Sequence, residues 1–165
     1  MSTSASYKII DILTRREESF AAAESCTGGG IVTRLTDIPG SSEVVWGGIV
    51  SYSNEAKISL LDINPDLIDR DGAVSAGVAK SMAWGIRVRS AADWTLAVTG
   101  IAGPGGGTVD KPVGTVWIAW CSPSGNISAE LFHFDGDRAS IRKKTEDKAL
   151  EGLLLLIEKI PVSSS

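Results

Sequence analysis

A three-layer α/β/α domain with a mixed sheet is the fold class that these 165 residues predict. Three observations carry it. Short β-rich runs alternate with segments of helical period up to residue 99, as in an α/β sheet. Two apolar runs then flank Ser122-Pro123-Ser124-Gly125-Asn126, the mark of an antiparallel hairpin. A long amphipathic segment opened by Asp137 ends the chain and suits packing on a sheet.

Residues 4–17 set Ile9, Ile10, Ile12 and Leu13 among polar neighbours, which predicts a short amphipathic helix. Residues 19–23 form a brief apolar run bounded by Glu18 and by the Ser25 to Gly30 stretch, and read as a buried strand. Gly28-Gly29-Gly30 then opens a helix through Ile31, Val32 and Leu35 that stops near Pro39-Gly40. Strand, glycine turn and helix make the first half of a βαβ unit. Residues 44–52 are β-rich, and Ser53 is placed to cap a helix over 54–61 with Glu55 in its first turn. Asn64-Pro65 begins another short helix, because proline suits the first helical position. Ser75 caps a longer one, in which Val78, Ala79, Met82, Ala83 and Ile86 recur at helical spacing. Residues 93–99 return as a strand, followed by the loop 100–112. The hairpin strands are 113–121 and 127–134, and the last helix carries Ile141, Leu150, Leu153, Leu154 and Ile157 inward. Helices flank a mixed sheet on both faces, and neither a repeat nor a linker divides residues 1–165, so one domain is expected.

Composition narrows the function. With 43% hydrophobic and 22% charged residues the chain is globular, and at this length it can bury roughly 70% of its unfolded surface. No apolar run approaches the ~18 residues of a membrane span, so no membrane partner is expected. The first residues hold no basic segment followed by an apolar one, so export is not expected and the cytoplasm is the expected compartment. Cys26 and Cys121 do not make a disulfide framework, which fits a reducing compartment. One histidine, with no CxxC or HExxH, gives too few ligands for zinc, and metal-free chemistry without a cofactor is the expectation. A net charge of −4 argues against nucleic acid as a partner. Arg138, Arg142, Lys143 and Lys144 form the one basic cluster, readable as a solvated helix face or as a seat for a single phosphate.

Three segments are candidates for chemistry. Ala23-Glu24-Ser25-Cys26-Thr27-Gly28-Gly29 sets a hydroxyl at a strand-to-helix turn. Unpaired backbone N–H groups and a positive helix end there suit a phosphate or an oxyanion, although a plain capping turn has the same composition. Neither a G-x-S-x-G nor an S-x-x-K signature surrounds Ser25. His133 lies between Phe132 and Phe134, so it faces away from the core if those rings face inward, and a Ser-His-Asp triad is poorly supported. Lysine is left as a base. Lys57 stands one turn inside the helix capped by Ser53, where the helix N-terminus and any burial favour the neutral amine; a solvated helix lysine is the bland alternative. The third segment, residues 99–108, is a glycine-rich loop after a strand. It is neither a Walker A loop nor a Rossmann fingerprint, and reads as a flexible loop or as a backbone cradle for phosphate through Gly103, Gly105, Gly106 and Thr108.

AESCTGG at 23–29, GSS at 40–42, YSNEAK at 52–57, GAVS at 72–75, TGIAGPGGGT at 99–108, KPVGTV at 111–116 and GDRASIR at 136–142 occur in one order. Together they resemble the C-terminal domain family of the competence/damage-inducible protein CinA, over roughly residues 5–157. The resemblance implies a mixed, mostly parallel five-stranded sheet. It implies a metal-free amidase that converts nicotinamide mononucleotide to nicotinic acid mononucleotide and ammonia, in pyridine nucleotide recycling. The family's serine and lysine fall on Ser25 and Lys57. Backbone N–H groups around Thr27 and Gly28 are the expected oxyanion donors. Tyr52 is expected to orient Lys57 or to line the base pocket, with a core aromatic as the alternative. The loop 103–108, Arg138 and Arg142 are the candidates for the phosphate. The N-terminal molybdopterin-binding-like domain of two-domain relatives has no counterpart in these residues, so its activities are not expected here. Two rival readings are a Cys26 nucleophile and a non-catalytic nucleotide-binding module. Trp46 and Trp84 are candidates for exposed positions in a symmetric homo-oligomer.

Overall fold

The computed structural model describes residues 4–162; the outermost ends of the expected 1–165 domain lie outside the described residues. The chain runs α1 (Ala5–Arg16), β1 (Phe20–Glu24), α2 (Gly30–Thr36), a 3-10 turn (Ser41–Glu43), β2 (Val45–Val50), α3 (Asn54–Leu61), α4 (Pro65–Asp71), α5 (Ala76–Ser90), β3 (Trp94–Gly100), β4 (Thr115–Cys121), β5 (Ile127–His133) and α6 (Arg138–Lys159). The expected caps are in place. Ser53 accepts from the Ala56 amide at 3.0 Å, Ser75 from Val78, and Asp137 from Ser140 at 2.9 Å. Pro65 stands in the first turn of α4 behind the Asn64 cap.

The five strands form one sheet in the order β2-β1-β3-β4-β5. β1 pairs in parallel with both β2 and β3, whereas β3–β4 and β4–β5 are antiparallel. Four strands therefore share one direction and β4 alone is reversed. Loops without helices, 101–114 and 122–126, make the antiparallel steps, while both parallel steps need helices to carry the chain back.

Alternation along the strands gives the sheet two unlike faces. Phe20, Ala22, Trp94, Leu96, Val98, Val116, Ile118 and Trp120 face α1, α2 and α6, where Ile9, Leu13, Ile31, Leu35, Leu150 and Leu153 complete a buried cluster. Trp94 and Trp120 keep their indole N–H groups satisfied, on the Glu18 carboxylate at 2.7 Å and the Ala149 carbonyl at 2.9 Å. The other face is made of Ala21, Ala23, Ala97 and Ala119 against Val78, Ala79, Met82, Ala83 and Ile86 of α5. Small side chains there let α5 lie close to the sheet, and a Cβ at Gly85 would collide with the Leu61 carbonyl of α3. This is the three-layer α/β/α architecture.

Some boundaries differ from expectation, and one difference matters. β1 extends through Glu24, which pairs with Val50 and Val98, so the glutamate is the last residue of the central parallel strand. α2 ends at Thr36, short of Pro39-Gly40, and β4 begins at Thr115 after a turn closed by its N–H on the Pro112 carbonyl. Phe132 and Phe134 pack on the larger cluster with rings stacked 5.5 Å apart, and His133 between them is exposed. Trp46 and Trp84 are 52% and 48% exposed. No described helix is long and apolar enough to cross a membrane.

Candidate functional site

The carboxyl ends of β1, β2 and β3 lie side by side, and the chain leaves β1 toward β2 on one side and reaches β3 on the other. In open α/β sheets such a switch point is where ligands sit. A cavity of about 260 Å³ opens there, lined by Ser25 and Cys26 after β1, Tyr52, Asn54 and Lys57 after β2, Ala73 and Val74 before α5, residues 99–103, Gly105, Gly106 and Arg138.

Strand alternation sends the Glu24 side chain toward α2 and leaves Ser25 to the side from which α3 comes. Lys57, 32 residues further on, reaches under the turn and is only 2% exposed. Its Nζ lies 3.0 Å from Ser25 Oγ, 2.9 Å from the Ser51 carbonyl and 3.4 Å from the Tyr52 carbonyl. The Ser51 N–H donates to the Glu24 carbonyl at 2.8 Å, which ties that residue to the end of β1. Burial lowers the Lys57 pKa from that of a free lysine, and the Cys26 thiol offsets this only in part. A neutral amine has two hydrogens and one lone pair. Carbonyls can only accept, so once the two hydrogens point at Ser51 and Tyr52 the lone pair is left for the Ser25 hydroxyl.

Cys26 stands beside this pair, but burial pushes its thiol up to about 12, with Glu24 adding to the rise. Thiols that react at neutral pH have their pKa lowered instead. Replacing Cys26 by Ala is therefore expected to leave any turnover within about threefold of wild type, and thiol alkylation of the native protein to leave it unchanged.

The Ser25 turn is built by residues that sequence reasoning missed. Glu24, 1% exposed, accepts from the Thr27 hydroxyl at 2.5 Å and from the Ile31 and Val32 amides at 2.9 and 3.2 Å. It thus occupies the positive end of α2, which the sequence reading had left open for an oxyanion or phosphate. Gly28 and Gly29 have φ of +58° and +100°, left-handed conformations that favour glycine. The only advance sign of Glu24's part is its place beside the turn, since an acidic residue ending a buried strand needs donors.

Of the sequence candidates, the structure brings Ser25, Lys57, Tyr52, Gly103, Gly105, Gly106 and Arg138 to one cavity. Four others stand outside it. Thr27 is buried with its hydroxyl on Glu24; the Gly28 N–H is spent on the Ser25 carbonyl at 3.1 Å; Arg142 donates to the Cys26 and Thr27 carbonyls; and Thr108 Oγ1 accepts from the Lys111 amide within the loop. The Gly28 amide is thus not free for an oxyanion, nor is the bonded edge of Arg142 free for a phosphate. Tyr52 is 60% exposed rather than a core aromatic. Its hydroxyl accepts from Arg138 Nη2 at 2.9 Å, and Arg138 Nη1 donates to the Gly103 carbonyl at 2.8 Å, so it meets Lys57 through its backbone alone. Asn54, Ala73 and Val74 line the cavity without having been singled out; they lie inside YSNEAK and GAVS, and only the packing of the α4–α5 connection brings the latter here, through Thr99 Oγ1 on the Ala73 carbonyl at 2.9 Å.

The fold and cavity define a three-layer α/β protein with a buried serine–lysine pair at its switch point. The chain belongs to the CinA C-terminal domain family, whose description matches residues 2–157. A CinA-like protein of Synechocystis sp. is 51% identical over 127 residues, 77% of this chain and 30% of that protein. One from Akkermansia muciniphila is 48% identical over 151 residues, 92% of this chain and 36% of that protein. The chain thus spans about a third of the length of these curated relatives. The crystal structure of the competence/damage inducible protein CihA from Agrobacterium tumefaciens superposes with a TM-score of 0.90 at 42% identity, covering 94% of this chain and 99% of that one. A CinA superfamily protein from Klebsiella pneumoniae gives 0.90 at 29% identity, covering 94% and 97%.

Proposed function

We propose that this protein is a metal-free amidohydrolase that removes the carboxamide nitrogen of nicotinamide mononucleotide as ammonia. One observation carries the reading: a buried lysine amine, with no carboxylate among its close contacts in the described residues, lies 3.0 Å from a turn-borne hydroxyl at the floor of a ligand-sized cavity.

Neutral Lys57 accepts the Ser25 proton as Oγ bonds to the carboxamide carbon, and the carbonyl π pair moves onto oxygen. With the Gly28 amide committed, Cys26 and Asn54, which both line the cavity, are the residues proposed to receive that oxyanion. Lys57 then gives its proton to the amide nitrogen as the C–N bond breaks, releasing ammonia and leaving a nicotinoyl ester on Ser25. Water adds to the ester as Lys57 takes one of its protons, and collapse returns that proton to Ser25 Oγ and frees the carboxylic acid, which ionises by giving its remaining proton to ammonia or solvent.

Among the described residues, Lys57 and Arg138 are the charged ones on the cavity wall, and no acidic residue lines it. A guanidinium has five N–H donors, of which Arg138 uses one on Gly103 and one on Tyr52, so others remain for a phosphate beside the Gly103–Gly106 backbone. Arg138→Ala is expected to raise KM for the mononucleotide about 10- to 100-fold, the worth of a charge-assisted contact of ~1.5–3 kcal/mol, with little effect on the nucleoside lacking phosphate. Steady-state kinetics on both substrates measure the difference.

The reading is tested by incubating the protein with nicotinamide mononucleotide, following ammonia, and searching the acid-quenched protein by mass spectrometry for a nicotinoyl adduct on Ser25. Ammonia with the adduct supports it. Thermal stabilisation by the nucleotide without ammonia would instead make the chain a nucleotide-binding module.

A further inference from the structure

We infer that Arg142 is a positioning residue for Ser25: from α6 it clamps the turn that carries the serine, and so holds Oγ within reach of Lys57. The inference rests on the amidase reading for its kinetic consequence, though not for its structural one.

Arg142 Nε donates to the Cys26 carbonyl and Nη2 to the Thr27 carbonyl, both at 3.0 Å. These two nitrogens share one edge of the planar guanidinium, so a single rigid group fixes two successive peptide planes. The grip passes on to the serine. The peptide whose carbonyl Nη2 holds is the one whose N–H, on Gly28, donates to the Ser25 carbonyl at 3.1 Å. A hydrogen-bonded relay therefore runs from α6 through the Thr27–Gly28 peptide to the Ser25 backbone, and a cation at its head polarises the peptide in the sense that strengthens the next bond.

The turn needs an external tie. Gly28 and Gly29 lie in the left-handed region, and glycines lose more freedom on ordering than other residues. Glu24 holds the Thr27 hydroxyl and the start of α2, and the Thr27 carbonyl also takes the Gly30 amide at 3.0 Å, but Arg142 is the partner of the Cys26 carbonyl and the group that ties both carbonyls to α6. The guanidinium also lies against Gly28, 3.4 Å from where a Cβ would be, so turn and clamp are fitted to each other. Arg142 is absent from the cavity wall, unlike Arg138 one turn earlier on the same helix. Its negative neighbour along α6 is Glu146, whose carboxyl burial raises and Arg34, more than Arg142, lowers; charge balance alone would be the merely structural alternative.

The test compares wild type, Arg142→Ala and Arg142→Lys as full-length proteins, with ammonia release from nicotinamide mononucleotide and backbone amide exchange as readouts. A displacement of about 1 Å at reacting atoms costs ~100-fold in rate. Arg142→Ala is expected to lose about that in kcat, with KM within twofold and the pH midpoint of kcat unchanged. Arg142→Lys, whose ammonium cannot span both carbonyls with one rigid edge, is expected to fall between. The Gly28 amide should exchange at least tenfold faster in Arg142→Ala, while Ala22 in the middle of β1 stays protected. Unchanged kcat, a loss confined to KM, or unchanged Gly28 exchange overturns the inference. Should Arg142→Ala not fold, Arg142→Lys decides by the same two readouts. If wild type itself releases no ammonia, the amidase reading fails, and Gly28 exchange still decides whether Arg142 orders the turn.

Discussion

Ser25→Ala is expected to lower kcat for ammonia release by about 10⁴-fold or more while leaving the protein folded. Removing the nucleophile of a covalent mechanism costs on this scale, because the partners that served it have nothing left to act on. Ser25 Oγ is hydrogen-bonded to Lys57 Nζ at 3.0 Å, so the alanine variant loses that interaction and little packing, and its melting temperature should stay close to wild type. Affinity for the nucleotide, read by thermal shift in the variant, should persist because the cavity wall is otherwise intact. Turnover near the wild-type rate in Ser25→Ala would reject the mechanism outright.

Lys57→Met has the second largest expected effect, a fall of about 10³- to 10⁴-fold in kcat, at the upper end of what general acid–base catalysis supplies. The pH behaviour gives a sharper signature. A base must be unprotonated, so the wild-type rate should rise with pH and level off at a midpoint below the 10.5 of a free lysine, because burial lowers the Lys57 pKa. The residual activity of Lys57→Met should lack that rise. Stability is linked to the same shift with a defined sign. Between the lowered folded pKa and 10.5 the unfolded chain binds the extra proton, so folding stability increases with pH across that window. The melting temperature of wild type relative to Lys57→Met should accordingly climb from neutral toward alkaline pH. A flat difference would mean that the buried amine titrates like an ordinary lysine, and the general-base role would go with it.

Much of the fold was legible because its signals are local. Serine, asparagine and aspartate caps at 53, 64, 75 and 137 act within one turn, the Ser122 to Asn126 turn acts across one hairpin, and helical period is visible within a single segment. Ser25 and Lys57 could be named as candidates for similar reasons: one follows a buried strand at a glycine turn, the other stands one turn past a cap. Arg138 and Arg142 mark where that legibility stops. They stand four residues apart in the same short motif and looked interchangeable as phosphate ligands. In the fold one lines the cavity mouth with Tyr52 and Gly103, and the other turns to the carbonyls behind Ser25. Glu24 is not legible in the sequence because two of its three donors, the Ile31 and Val32 amides, are seven and eight residues away, beyond any local capping pattern.

By itself, then, the sequence determined the order and type of the elements, the two-faced apolar pattern that makes a three-layer sheet, and the presence of a hydroxyl and an amine suited to each other. Only the tertiary structure decided that they meet. Parallel pairing of β1 with β2 sets the carboxyl end of β2 beside Ser25, and the packing of α3 there drives Lys57 away from water onto carbonyls that can only accept. Strand register and helix packing fix that encounter across 32 residues of chain, and neither is encoded in the spacing of the two residues.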